Sequence, residues 1–179
     1  MRTYLDRLFN ALDGLLVFVA SVAMVLMALH VATDILSRLV LSESLDATTE
    51  IVSHYYMVSI GFLPLLHLRR KDLMIKVEIL SGLMSARSIR VSDIATDLLL
   101  ASWFLVWAWY TAEHAIHKTQ IGEFVDTTVD MLVIWPSRWL LPVGMTLVGI
   151  YCLLMAWRRL VGHAVTDGTR KAVGEDVTA

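Results

Sequence analysis

Six histidines, one cysteine and a few acids set among apolar residues are the groups that could carry chemistry in this 179-residue chain. Histidines in membrane helices can ligate haem b between spans. His30 and His54 fall near the same end of two successive apolar stretches and could face each other. His67 lies about three and a half turns beyond His54. The competing reading makes all three interfacial or hydrogen-bonded side chains. His114 and His117, three apart beside Glu113, offer two metal ligands. Spacing fixes no third, so no metal is assigned and the group reads as a solvated helix end. Cys152 cannot form an internal disulfide, and its neighbours Ile150, Tyr151, Leu153 and Leu154 mark it as a small buried hydrophobe rather than a reactive thiol. There is no Gly-rich phosphate loop, nucleophile elbow or paired-cysteine motif. Nothing here reads as a self-contained catalytic site, so no catalytic residue and no cofactor are assigned, haem standing as the alternative.

The acids invite electrostatic roles. Asp34 and Arg38 are four apart, the spacing of an ion pair along one helix, which contributes about 0.3–0.5 kcal/mol at an exposed end. Glu50 sits where a helix would begin, favoured by the dipole, with Thr48 or Thr49 as candidate caps. Asp93 and Asp97 are i, i+4 neighbours. A charge at mid-bilayer costs about 2.5–3.5 kcal/mol, so both acids are expected near headgroups or against a basic partner.

The elements that must position these groups follow from hydropathy. The chain is 57% hydrophobic and 18% charged. Apolar stretches run at about 12–36, 51–68, 94–112 and 135–157. A helix rises 1.5 Å per residue, so about 20 apolar residues cross a hydrocarbon layer of about 30 Å. The expected fold is an all-α integral membrane protein with four transmembrane helices in a single membrane domain, 1–179. Arg2 precedes an apolar run as in a signal peptide, but the run is longer than such a segment and Asp6 and Asp13 lie within its lead, so an uncleaved first span is expected.

Basic residues are retained on the cytoplasmic side during insertion. Arg2 and Arg7 precede span one. Arg69, Arg70, Lys71, Lys76, Arg87 and Arg90 lie between spans two and three, and Arg158, Arg159, Arg170 and Lys171 follow span four. Of the 15 basic residues this leaves Arg38, Lys118 and Arg138 for the other, acid-rich connectors. Both termini are expected in the cytoplasm of a multi-pass inner-membrane protein. Trp135 and Trp139 opening span four, and Trp157 with Arg158 and Arg159 closing it, read as interfacial anchors in contact with membrane lipid. Pro136 suits an early helical turn. Trp103 and Trp107 lie one turn apart in span three and read as lipid-facing or core packing. A net charge of −2 offers no basic stripe for nucleic acid.

Leu73, Val77, Leu80 and Met84 recur at helical spacing, and a basic triplet precedes them. Residues 72–85 read as a short amphipathic interfacial helix between spans two and three, or as an extension of span two. Residues 164–179 read as a flexible cytoplasmic tail.

Taken together, the segment from Asp34 to Leu80 resembles the small membrane subunit of tripartite ATP-independent periplasmic (TRAP) transporters, the DctQ-like family. Arg38 stands where that family commonly ends span one with arginine, Glu50 at its acid opening span two, and Gly61 at the glycine midway along it. The run Arg70-Lys71-Asp72-Leu73-Met74-Ile75-Lys76-Val77-Glu78 resembles its basic pair and the following His-Ile-x-Val-Asp, with Met74 for histidine and Glu78 for aspartate. Thr49 replaces a frequent second acid, and Tyr56 lies near a usual tryptophan. Leu141-Pro142-Val143-Gly144 resembles a Leu-Pro-x-Gly element.

The resemblance implies a non-enzyme, an accessory subunit that scaffolds a large, ion-coupled membrane subunit. That subunit takes up a solute, commonly an organic acid, delivered transiently by a periplasmic binding protein. It implies a partner interface at Arg38, Glu50, Gly61, Arg69, Arg70, Glu78, Pro142 and Gly144. Apart from the resemblance, a haem b-binding anchor of a redox complex and a self-associating membrane scaffold remain as alternatives.

Overall fold

A computed structural model describes residues 2–42, 45, 47–71, 73, 86–126 and 131–161. The expected interfacial helix at 72–85, with Glu78, and the expected tail at 164–179 lie outside the described residues, Leu73 excepted. Among the described residues, four helices are long and apolar enough to cross a bilayer: Asp6–Leu41, Thr48–Arg70, Ser88–Gln120 and Trp135–Leu160. Each runs past its apolar window, because backbone N–H and C=O groups at headgroup depth are still best paired within the helix.

Span one is a single helix, α1 (Arg2–Leu41). Span two is segmented into α2 (Thr48–Ile51), a π-helical turn at Val52–Tyr56, α3 (Met57–Phe62) and α4 (Leu65–Arg70). The break before α4 falls at Pro64, whose missing N–H and ring cannot continue an α-helical ladder. The start of span two differs from the expected cap. Ala47, in the left-handed region at φ 56°, holds the N-cap position without a side-chain bond. Thr48 instead donates its hydroxyl to the Leu45 carbonyl at 3.3 Å.

Span three is α5 (Ala86–Gln120). It ends in a Schellman motif built on Gly122, whose φ of 62° suits a residue without Cβ. Gly122 N–H donates to Thr119 O at 3.2 Å and Glu123 N–H to Lys118 O at 3.0 Å. A hairpin follows, absent from the reading of the sequence: β1 (Phe124–Asp126) pairs antiparallel with β2 (Met131–Val133), Val125 opposite Leu132. Span four opens as a 3₁₀ turn, Trp135–Trp139, with Pro136 in its first turn, and continues as α6 (Leu140–Leu160).

Span four is the hub. In its most apolar stretch 44% of residues are buried, against 11%, 11% and 17% for spans one to three. Between helices in lipid there is little hydrophobic drive, so close van der Waals approach decides the packing. Small residues make that approach possible. Ala101, Ala108 and Ala115 form a buried seam at intervals of seven along α5, the helix packed most extensively on α6. Gly144 and Gly149 let α6 approach the Phe62 backbone and the Leu105 side chain. A core drawn from all four spans includes Phe9, Leu66, Ala101, Val148, Tyr151, Cys152 and Met155, with Phe9 and Tyr151 edge-to-face at 5.4 Å.

Candidate functional site: a charged layer across four helices

The polar side chains concentrate at two levels. The first lies at the end of the bundle where span one begins and span four ends. Arg69 and Arg70 close α4, and adjacent helical residues point about 100° apart, so the two guanidinium groups reach different neighbours. Arg70 turns to α1. Its Nη1 donates to the Asp13 carboxylate at 2.8 Å and the Phe9 carbonyl at 2.9 Å, and its Nη2 donates to Asn10. It also lies 5.9 Å from the centre of the Tyr151 ring, a cation–π distance. Arg69 turns to α5 and pairs with Asp97, the two being 7% and 1% exposed.

Arg159 on α6 completes that pair from the far side, 3.3 Å from Asp97 and 2.8 Å from Asp93. The i, i+4 spacing of the two acids lets one guanidinium serve both. Arg158 donates to Asp6 at 2.5 Å, and His67 Nδ1 lies 3.2 Å from both oxygens of Asp13. Four carboxylates (Asp6, Asp13, Asp93, Asp97) thus meet four guanidinium groups (Arg69, Arg70, Arg158, Arg159). Each helix contributes at least one charge bonded to another helix. Removing one partner of such a pair leaves a desolvated charge, which makes the layer a clasp rather than decoration.

The second level lies at the hairpin end. Gly122 sets the backbone so that the Glu123 carboxylate meets Lys118 at 2.8 Å and accepts from Arg138 at 3.0 and 3.2 Å. These contacts, with the Arg138 hydrogen bonds foremost, hold its pKa down to about 2. The Glu123 carbonyl also accepts from Ile134 N–H at 3.0 Å, tying the hairpin to the end of α5. Trp139 Nε1 donates to Thr119 at 3.0 Å, and Tyr55 donates to the Val133 carbonyl at 2.5 Å. Asp34 accepts from Leu45 N–H and pairs with Arg38, both at 2.8 Å.

The residues named from sequence separate into groups. Arg69 and the pair Pro142 and Gly144 lie inside this chain's own bundle, and Arg70 is directed into it. A Cβ on Gly144 would meet the Phe62 carbonyl oxygen at 2.7 Å. Gly61 lies on the exposed side of span two, where a Cβ would meet open space, Arg38 is exposed, and Glu50 is half-buried. Trp139 and Trp157 are exposed and Trp135 half-buried, while Arg158 and Arg159 serve the clasp. His30 lies 3.5 Å from the Thr48 hydroxyl and edge-on to Tyr56, whereas His54 lines a cleft with spans three and four, so the two have different neighbours. Among the described residues no group of three or more His, Cys, Asp or Glu side chains is arranged to hold a metal. Cys152 is fully buried.

Asp93 and Asp97, expected near headgroups or against a basic partner, meet Arg69 and Arg159. Sequence reasoning missed Asp13 as a clasp acid; its only available signal was its type, a carboxylate placed inside an apolar run. It also missed the alanine seam, which the interval of seven could have revealed.

The chain matches the family described as Tripartite ATP-independent periplasmic transporters, DctQ component, over residues 27–162. No curated protein and no solved structure matches it.

Proposed function

The chain belongs to the DctQ component family of tripartite ATP-independent periplasmic transporters, and from that premise we propose that it scaffolds the large, ion-coupled membrane subunit during uptake of a solute. The family is a transporter component, and this chain is a multi-pass membrane protein within it. On our reading a periplasmic binding protein delivers the solute, an organic acid. The large subunit carries the substrate and coupling-ion sites. The present chain performs no chemistry of its own.

One observation carries the scaffold reading beyond the family. The clasp charges are paired with one another, while only 11% of the residues in the most apolar stretches of spans one and two are buried. Such a unit is stiff within and apolar without. A moving transport domain needs a stationary neighbour of that kind. We place the partner contact on the open faces of spans one and two, around Arg38, Glu50 and Gly61, and assign Glu78 to the same interface from the family resemblance. Arg69, Arg70, Pro142 and Gly144 support that surface from within. The Arg158–Asp6 bond joins the start of span one to the end of span four, which supports our reading that both termini lie on one side. The distribution of basic residues assigns that side to the cytoplasm of an inner membrane.

Co-purification tests the reading. A tagged chain drawn from its native membrane is expected to bring with it a much larger multi-span permease, and solute uptake is expected to fail without it. Gly61→Trp, on the open face, should break that association while leaving the thermal midpoint unchanged. Material that never contains such a partner would refute the proposal, as would tags on the two ends that report opposite faces.

A further inference from the structure

A cleft of about 330 Å³ opens between spans two and three at the hairpin end, with span four as its back wall. The volume lies at the low end of the range for small-molecule sites. Its origin is the hub arrangement: spans two and three each pack on α6, at Gly144 and Gly149 respectively, and stand apart on either side of it. Tyr55, within the π-helical turn, bonds the hairpin through the Val133 carbonyl, while its neighbour His54 lines the cleft.

The lining changes with depth. Span two descends from Thr48, span three rises to Gln120, and span four descends from Trp135. Within each span the polar lining residue stands about one turn or more nearer the hairpin end than the apolar one: His54 before Val58 and Phe62, His114 and Thr111 before Trp107, and Arg138 before Leu141. Arg138, which lines the cleft, shares the Glu123 carboxylate with Lys118, so this cluster holds two cations and one anion. A cluster with one cation in excess at headgroup depth, above an apolar channel, is the complement of a phosphodiester above an acyl chain.

We propose that this cleft binds a phospholipid of the leaflet on the hairpin side, one acyl chain lying between spans two and three and the phosphate at Arg138. The proposal does not rest on the transporter reading. A bound chain would fill the gap between the two helices and brace span two against span four.

The test uses the full chain, alone and with its co-purifying membrane partner, in phosphatidylglycerol–phosphatidylethanolamine vesicles doped with a phospholipid that carries a mid-chain diazirine. After irradiation, label mapped by mass spectrometry is expected to be enriched on residues 54–62 and 107–114 over the exposed face of α1. Arg138→Gln should lower that labelling about fivefold, the effect of one cation near anionic headgroups. Val58→Phe with Thr111→Phe should abolish the enrichment at an unchanged thermal midpoint. If that double variant does not fold, Leu141→Phe narrows the same cleft from span four. Label spread evenly over all bilayer-facing helices would overturn the proposal, as would enrichment that survives filling of the cleft. Displacement of the label by inorganic phosphate, or by the protein partner, would assign the cleft to a free anion or to a helix of that partner, and either result would overturn it.

Discussion

Asp97→Asn tests the clasp most directly. The Asp97 side chain is 1% exposed and receives Arg69 from span two and Arg159 from span four. In soluble proteins, removing one member of a buried pair costs about 3–5 kcal/mol. Within a bilayer the unfolded reference also finds polar partners, and interhelical polar contacts average about 0.6 and reach about 1.7 kcal/mol each. Two such contacts give an expected loss of about 1–3 kcal/mol. For a chain of this size a loss of about 2 kcal/mol lowers the thermal midpoint by about 4–8 °C. The assay is intrinsic fluorescence of the six tryptophans during heating in nanodiscs. The decisive comparison is Arg69→Met combined with Asp97→Leu, which removes charge and counter-charge together. Because burying neither ion avoids both desolvation costs, the double variant is expected to recover most of the loss. A single variant that melts with the wild type, or a double variant as unstable as both singles added, would refute the reasoning.

Three further outcomes are expected. Glu123 is held down to about 2 from an ordinary 4.5, so its pairing stabilises the fold above pH 4.5 and is lost as pH falls from there towards 2. The midpoint difference between wild type and Glu123→Gln should therefore be largest near neutral pH and vanish in acid; a difference constant with pH would contradict it. Gly144→Ala places a Cβ 2.7 Å from a backbone oxygen and should cost about 1–3 kcal/mol. Gly149→Ala meets the Leu105 side chain at 2.7 Å and backbone only at an ordinary 3.5 Å, and should cost less, so the reverse order of midpoints would count against the packing described. Arg70→Ala removes the bonds to Asp13, Asn10 and the Phe9 carbonyl, and should depress folding yield before it depresses partner binding. Lost association at full stability would move Arg70 to the partner surface.

What could be read along the chain was whatever one segment decides alone. Asp34 and Arg38 lie on one helix, four residues apart, and their pair at 2.8 Å follows from helical geometry. Pro136 lies in the opening turn of span four for a similar reason, that its missing N–H has no partner there in any case. The hairpin could have been read but was not: Phe124-Val125 and Met131-Leu132-Val133 are apolar, β-favouring runs in a connector too short to weigh against the spans beside it.

The sequence by itself determined four bilayer crossings, because apolar length and the need to satisfy every backbone group in hydrocarbon leave the helix as the local solution. It also marked which connectors carry the positive charge. Tertiary structure alone decided where that charge acts. Asp13 and Arg70 are 57 residues apart and Asp97 and Arg69 are 28 apart, so no spacing rule joins them. They meet in a bundle that span four holds together through its close contacts at Gly144, Gly149 and the alanine seam. The same placement of span four makes His54 and His114, two histidines whose positions in the chain are unrelated, line one cleft with Arg138. A bond that closes between helices depends on how closely their backbones can approach, and that distance is a property of the packed bundle.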